Sequence, residues 1–172
     1  GERLFGILEA LGSDVPFFSI GGRALGVGRG EKLFPLDDKA DYWLVLVDPG
    51  LSVNTAEAYS WLTGSVTFNN MLSFCARFVS PQRDAELALE ACLNDFETPL
   101  FSKFPELAEI KRKLLVSGAQ FASLSGSGAI LFGQFRAETD AKKAVVDLGR
   151  EFDVSLTRPV TRSEYFREMF RN

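Results

Sequence analysis

The strongest constraint on the fold is the order in which the spacing of apolar residues changes along the chain. Four short apolar runs, typical of β-strands, lie at residues 43–47, 120–124, 129–135 and 152–157. Apolar residues at i, i+3, i+4 and i+7 predict amphipathic helices over residues 69–79, 85–92, 105–115 and 139–149. The order strand, helices, strand, strand, helix, strand is that of the split β-α-β, ferredoxin-like arrangement. We therefore predict an α+β fold with one antiparallel sheet and its helices largely on one face.

The first 41 residues follow a different pattern. Leu4, Ile7, Leu8 and Leu11 are spaced as on a helix, which we expect to end at Gly12. Residues 16–36 form short β-like runs broken by glycines, which predicts the strands of a hairpin. The polar segment at residues 37–41 then predicts a domain boundary, with one domain over residues 1–41 and a second over residues 42–172. An amphipathic stretch at residues 163–170 closes the second domain.

Composition excludes several kinds of chemistry. The chain has no histidine and 2 cysteines, which excludes Ser-His-Asp and Cys-His catalysis and leaves too few ligands for a zinc site, so we expect no protein-held metal. Cys75 and Cys92 fall on the apolar stripes of predicted helices, as buried thiols do in a reducing compartment. The net charge of −4 is scattered, and no apolar run could cross a bilayer. We therefore expect neither nucleic acid nor membrane as a partner.

Asp14 is a candidate for chemistry because of its neighbours. Gly12 is expected to end the helix, and Pro16 restricts Val15 to an extended conformation. Asp14 would then lie on a rigid kink between a helix and a strand. The alternative is a turn aspartate whose carboxylate bonds its own backbone.

A second candidate is the sequence Ser125, Gly126, Ser127, Gly128 between two apolar strands. Consecutive amides in such a loop can form an anion-binding nest, although a glycine-rich hairpin turn is the alternative. The loop is not a P-loop, since no Lys-Ser/Thr pair follows it. The glycines at residues 26–30 favour a structural hairpin.

Two further polar segments follow predicted elements. Asn54 and Thr55 come shortly after the strand that ends at Asp48, and loops at strand ends commonly carry ligand contacts. The polar cluster at residues 94–97 follows a predicted helix, where helix capping is a sufficient explanation.

Taken in order, these motifs resemble those of the GHMP kinase superfamily along nearly the whole chain. The residues that carry the resemblance are LGSDVPFF at 11–18, GRA at 22–24, GRGE at 28–31, PGLSVNTA at 49–56, NDFE at 94–97, and LSGSG at 124–128 with LFG at 131–133. Within the family, the resemblance is greatest to kinases of a cytidine-diphosphate-linked polyol in isoprenoid biosynthesis. Kinases of the mevalonate or homoserine type, and a non-catalytic ferredoxin-like binding module, are the alternatives.

The resemblance implies transfer of the γ-phosphoryl group of ATP to a hydroxyl of a small-molecule substrate, with Mg²⁺ bound to the nucleotide. Asp14 matches the family's catalytic aspartate, and Thr55 matches a threonine that contacts the substrate. Residues 125–128 match the family's third motif, which lies beside the transferring phosphoryl group. Residues 42–172 would form the family's C-terminal ferredoxin-like domain, and residues 1–41 a remnant of its ribosomal-protein-S5-like N-terminal domain.

The chain also departs from the family pattern. It lacks the glycine-rich phosphate loop and the lysine that partners the catalytic aspartate, so we expect a fragment that is inactive alone. Its partner would be the missing N-terminal half of the same enzyme, and a homodimer is left open. The resemblance implies a cytoplasmic protein, or a plastid protein if the source is a plant.

Overall fold

The computed structural model describes residues 2–62 and 94–171. The helices predicted over residues 69–79 and 85–92, with Cys75 and Cys92, lie outside the described residues. Along the chain, the elements are α1 (Glu2–Leu11), a 3₁₀ helix (Val15–Ser19), β1 (Ala24–Val27), β2 (Lys32–Pro35), β3 (Trp43–Asp48), α2 (Thr55–Ser60), α3 (Glu97–Lys103), α4 (Pro105–Val116), β4 (Phe121–Leu124), β5 (Leu131–Phe135), α5 (Glu138–Leu148), β6 (Asp153–Thr157) and α6 (Arg162–Met169). Their contacts divide into two compact units, Gly1–Asp41 with Pro159–Asn172, and Tyr42–Arg158.

The second unit contains the predicted antiparallel sheet. Its strand order is β4-β5-β3-β6, and each neighbouring pair is antiparallel. Val45 pairs with Gly133 on β5 and with Leu156 on β6, so these residues share one face of the sheet. This order, with helices between β3 and β4 and between β5 and β6, confirms the ferredoxin-like, α+β prediction.

The core of this unit lies between one face of the sheet and helices α4 and α5. Val45, Val47, Leu131 and Phe135 are fully buried on that face. They share a core with one stripe of each helix, which comprises Leu107, Ile110, Leu114, Ala141, Ala144 and Leu148. Each stripe repeats at helical spacing, which is why the period of the sequence predicted both helices to within a residue at each end.

Local signals set the ends of α4. Pro105 occupies its first turn, where a missing N–H costs nothing because that N–H would have no intrahelical partner. At the other end Gly118 has φ +99°, and its N–H donates to the carbonyl of Leu115. The N–H of Ala119 donates to the carbonyl of Leu114. These two bonds form a Schellman motif, which turns the chain out of α4 and into β4.

The first unit contains α1, the 3₁₀ helix, the β1–β2 hairpin and α6. The prediction of a strand from residue 16 onwards was wrong for residues 16–19, which belong to the 3₁₀ helix. Proline has a backbone dihedral that suits a first helical turn as well as a strand, and Pro16 lies in that turn. The hydroxyl of Ser19 also donates to the carbonyl of Pro16 at 2.7 Å, which closes the turn locally.

The C-terminal segment belongs to the first unit, although the predicted second domain ran to residue 172. The two compact units meet in sequence at Asp41 and Tyr42, and Pro159–Asn172 groups with the first unit. Long-range hydrogen bonds explain this grouping: Arg162 donates to the carbonyls of Ile20 and Arg23, and the hydroxyl of Tyr165 donates to the carbonyl of Phe18. Among the described residues, no helix combines the length and hydrophobicity that a membrane span requires.

Candidate functional site

Thr55 and Ser127 meet at one polar corner of the second unit. Thr55 is the first residue of α2, and Ser127 lies in the loop between β4 and β5. Their hydroxyl oxygens are 3.3 Å apart, and Thr55 is exposed. Asn54 begins α2 by accepting a hydrogen bond from the N–H of Glu57 on its side chain. Two of the segments singled out in the sequence therefore converge, although their two hydroxyl residues are separated by 72 positions in sequence.

The turn at residues 94–97 reaches the same corner. The side-chain NH₂ group of Asn94 donates to the carbonyl of Leu124 at 3.1 Å and to that of Gly126 at 2.8 Å. Its side-chain oxygen accepts from the N–H of Phe96 at 3.0 Å. The carboxylate of Glu97 accepts from the N–H of Leu124 at 3.2 Å. Capping alone does not explain this turn, because its side chains also bond the loop between β4 and β5.

The loop at residues 125–128 has a defined backbone. The N–H of Ser125 donates to the carbonyl of Ile130, and the N–H of Gly128 donates back to the carbonyl of Ser125. Gly126 has φ +57° and Gly128 has φ +89°, a region that residues with a Cβ rarely adopt. A Cβ on Gly128 would also lie 2.7 Å from a methyl carbon of Leu100, which is fully buried. Glycine is therefore required at residue 128 for two separate reasons.

Asp14 lies in the first unit, where it precedes the 3₁₀ helix. Its backbone is helical, with φ −88° and ψ −15°, and its carbonyl accepts from the N–H of Phe17. The prediction that Asp14 lies between a helix and a strand was wrong, because a helix lies on each side. Its side chain makes no capping hydrogen bond and is exposed. This observation disfavours the alternative in which Asp14 bonds its own backbone.

Hydrogen bonds from α6 fix the segment that follows the 3₁₀ helix. The two carboxylate oxygens of Asp38 accept from the backbone N–H groups of Arg23, at 2.9 Å, and Arg162, at 2.7 Å. The bond from Arg162 is the largest cause that lowers the pKa of Asp38 below its usual value. Gly21 and Gly22 both have positive φ, and a Cβ on either would collide with Tyr165 or Asp38.

Gly28 and Gly30 lie in the turn of the β1–β2 hairpin, whereas Gly26 lies in β1 and pairs with Leu33. The N–H of Gly30 donates to the carbonyl of Val27, and the N–H of Arg29 donates to the carboxylate of Glu31 at 2.7 Å. Hydrogen bonds from backbone N–H groups, first that of Glu31 itself and then that of Arg29, lower the pKa of the Glu31 carboxyl. This turn supports the structural interpretation of these glycines. A Cβ on Gly30 would lie 3.9 Å from a carboxylate oxygen of Asp14, so the turn passes beside Asp14.

Within residues 2–62 and 94–171, no three acidic, histidine or cysteine side chains are grouped so that they could hold a metal ion.

Asn94 and Glu97 are the residues whose contacts with the candidate site were not predicted. The sequence does show an amide and a carboxylate within four residues, which could have indicated a functional turn. A turn that only caps a helix has the same composition. Their acceptors and donors at residues 123–126 are about 30 residues further along the chain, so only the folded structure reveals the connection.

Comparison with known proteins identifies relatives along most of the chain. The family model described as GHMP kinases C terminal matches residues 78–154. A 4-diphosphocytidyl-2-C-methyl-D-erythritol kinase of Solibacter usitatus is 43% identical over 169 residues, which are 95% of this chain and 52% of the relative. A kinase of the same name from Geobacter metallireducens is 36% identical over 152 residues, with 88% and 52% covered.

Solved structures show the same relationship. A crystal structure of 4-(cytidine 5'-diphospho)-2C-methyl-D-erythritol kinase superposes with a TM-score of 0.67 at 29% identity, covering 90% of this chain and 56% of the other. A homoserine kinase from Cytophaga hutchinsonii has a TM-score of 0.66 at 18% identity, with 85% and 50% covered, which shows a shared fold alone. The chain spans about half the length of the curated relatives that it matches.

Proposed function

Because the chain belongs to the GHMP kinase family, we propose that the protein containing it is an ATP-dependent kinase of 4-diphosphocytidyl-2-C-methyl-D-erythritol. In this proposal the γ-phosphoryl group of ATP is transferred to the 2-hydroxyl of that alcohol, a step of non-mevalonate isoprenoid biosynthesis. Similarity to kinases of this name along 95% of the chain supports the substrate. The observation that carries the site is the meeting of Thr55, Asn94 and Ser127 at one exposed corner.

Asp14 would act as the general base. During transfer, the oxygen of the alcohol forms a bond to the γ-phosphorus, the bond between that phosphorus and the bridging oxygen breaks, and ADP leaves with the electron pair. The proton of the alcohol would pass to the carboxylate of Asp14. An exposed carboxylate without a capping hydrogen bond is suited to this role, because no backbone bond has to break before it accepts the proton.

Thr55 would contact the alcohol, and the loop of Ser125, Gly126, Ser127 and Gly128 would lie beside the transferring phosphoryl group. The hydroxyl of Ser127 can donate a hydrogen bond to a phosphate oxygen, and the hydroxyl of Thr55, 3.3 Å away, can donate to the substrate. Phosphoryl transfer depends mostly on positioning and on stabilising spread negative charge, so a rigid loop is more useful here than a mobile one.

The remaining assignments follow from the same family relationship. Residues 1–41 would be the C-terminal part of the family's N-terminal domain, and residues 42–172 its ferredoxin-like domain, with α6 packed on the first of these. Mg²⁺ would enter with the nucleotide, bound to its phosphates. The other half of the enzyme would be the principal partner, in a cytoplasmic protein that is monomeric or homodimeric.

The test is an assay of ADP release by the full-length protein with three alcohols, namely 4-diphosphocytidyl-2-C-methyl-D-erythritol, mevalonate and homoserine. We expect turnover with the first alcohol and transfer of the phosphoryl group to its 2-hydroxyl, identified by ³¹P NMR. Turnover with homoserine or mevalonate alone would refute the substrate but keep the family chemistry. Full-length protein that releases no ADP with any of the three would refute the proposed reaction.

A further inference from the structure

We infer that Asn94 and Glu97 are positioning residues that hold the loop at residues 125–128 in one conformation. This inference rests on the proposed function, because it assigns that loop a place beside the transferring phosphoryl group. Neither residue is placed in contact with substrate, so each would act through the loop.

Both ends of the Asn94 side-chain amide are hydrogen-bonded. Its NH₂ group donates to the carbonyls of Leu124 and Gly126, and its oxygen accepts from the N–H of Phe96. The two ends of the amide are therefore distinguished by their partners. The carbonyl of Leu124 belongs to the end of β4, and that of Gly126 belongs to the loop. One side chain thus ties the loop to the strand and to the turn before α3.

Glu97 fixes the neighbouring part of β4. One carboxylate oxygen accepts from the hydroxyl of Ser123 at 2.9 Å and from the N–H of Leu124 at 3.2 Å. The other oxygen pairs with the ammonium of Lys111 at 2.6 Å, and the Glu97 side chain is only 14% exposed. A largely buried carboxylate with three partners is a rigid support, since moving it would leave its charge and the buried Ser123 hydroxyl without partners.

The segment at residues 94–100 also contacts both sides of the polar corner through apolar groups. A methyl carbon of Leu100 leaves space only for glycine at residue 128, so α3 packs directly against the far end of the loop. The ring of Phe96 contacts that of Tyr59 on α2 edge-to-face, with centroids 5.0 Å apart. The segment therefore connects the helix that carries Thr55 with the loop that carries Ser127.

The test replaces Asn94 with serine in the full-length protein. Serine keeps a neutral acceptor for the N–H of Phe96, but its side chain is too short to donate to both carbonyls. We expect amide hydrogen exchange at residues 125–128 to accelerate about tenfold or more while exchange in α4 and α5 stays the same. We also expect kcat to fall about 10²-fold, the cost of a misplacement near 1 Å, with little change in KM for the alcohol.

Matched variants separate positioning from general stability. Asn54→Ser makes the same replacement at another capping asparagine and should leave exchange at residues 125–128 unchanged. Glu97→Gln should accelerate exchange at the end of β4 and lower kcat, whereas Glu109→Gln, at an exposed pair with Arg112, should do neither. A merely structural role would lower the melting temperature and the folded fraction but not kcat per folded molecule.

Unchanged exchange at residues 125–128 in Asn94→Ser would overturn the inference. Accelerated exchange with normal kcat would overturn its link to catalysis. A wild-type protein without kinase activity would instead refute the proposed function, and the exchange measurements would still decide whether Asn94 holds the loop.

Discussion

Asp14 and Asp38 are carboxylates of the same compact unit with opposite surroundings. Asp38 accepts hydrogen bonds from two backbone N–H groups, which lower its pKa. Asp14 is exposed and makes no capping bond, although it stands where capping aspartates are common. The carboxylate of Asp38 is used by the fold, whereas that of Asp14 is exposed. This contrast is why we assign the proposed base to Asp14.

Replacing Asp14 with asparagine tests that assignment. Asparagine keeps the shape and the turn-forming tendency of aspartate but cannot accept the proton, so kcat of the full-length enzyme should fall by roughly 10²- to 10⁴-fold. KM for ATP should change little, since the phosphates are bound elsewhere in this proposal. Steady-state kinetics measure both quantities. Asp37→Asn, at another exposed carboxylate of the first unit, is the charge-matched control and should behave as wild type. A near-normal kcat in Asp14→Asn would contradict the role of Asp14 as general base and would leave it a structural role in the turn.

Helix α4 shows how one element positions several parts of the second unit. Its stripe packs on β5, where Gly133 leaves room for Leu114: a Cβ at residue 133 would lie 2.9 Å from a methyl carbon of Leu114. Lys111 on the same helix pairs with Glu97, which bonds the end of β4. The helix therefore joins the apolar core to the polar support of the loop at residues 125–128.

Two adjacent leucines on α4 allow a direct test of the packed face. Leu114 is fully buried, whereas Leu115 is 43% exposed. Leu114→Ala should lower the free energy of unfolding by about 2–5 kcal/mol, because it removes transfer free energy and leaves a cavity. Leu115→Ala should cost much less, since its side chain is already partly in water. Urea denaturation monitored by circular dichroism measures both. Equal losses would mean that the helix face is assigned wrongly.

The whole molecule divides into two compact units, and the chain passes from one to the other twice. The first unit is discontinuous in sequence, because Pro159–Asn172 joins Gly1–Asp41. Asp38 contributes to this closure, since its carboxylate bonds the N–H of Arg23 and the N–H of Arg162, which is 124 residues away in sequence. A single carboxylate therefore connects the hairpin segment with α6.

The depressed pKa of Asp38 makes its contribution depend on pH. A carboxyl whose folded pKa lies below its unfolded value of about 3.9 stabilises the fold fully above that value and loses the contribution as pH falls through the folded pKa. Asparagine can accept only one of the two bonds, so Asp38→Asn should lower stability by about 1–3 kcal/mol at pH 7.

Denaturation of wild type and Asp38→Asn between pH 7 and pH 3 checks the sign. The difference in unfolding free energy between the two proteins should be constant above about pH 5 and should shrink below about pH 4. Glu31 and Glu109, whose pKa values are also lowered, are present in both proteins and cancel in the difference. A difference that grows on acidification would contradict the role given to Asp38.

The period of the apolar residues determined the α+β class, the four strands of the sheet and the helices α4 and α5, because burial of one face imposes a repeat that is written in the sequence itself. Only the tertiary structure shows that residues 16–19 form part of a 3₁₀ helix and that α6 belongs to the first unit. It alone also shows that Asn94 bonds to the loop at residues 125–128. These features depend on hydrogen bonds whose partners are far apart in sequence, or on a proline compatible with two conformations. The spacing of residues in a local segment does not specify which distant residue will bond to it. These contacts therefore follow from the tertiary structure and not from the sequence pattern.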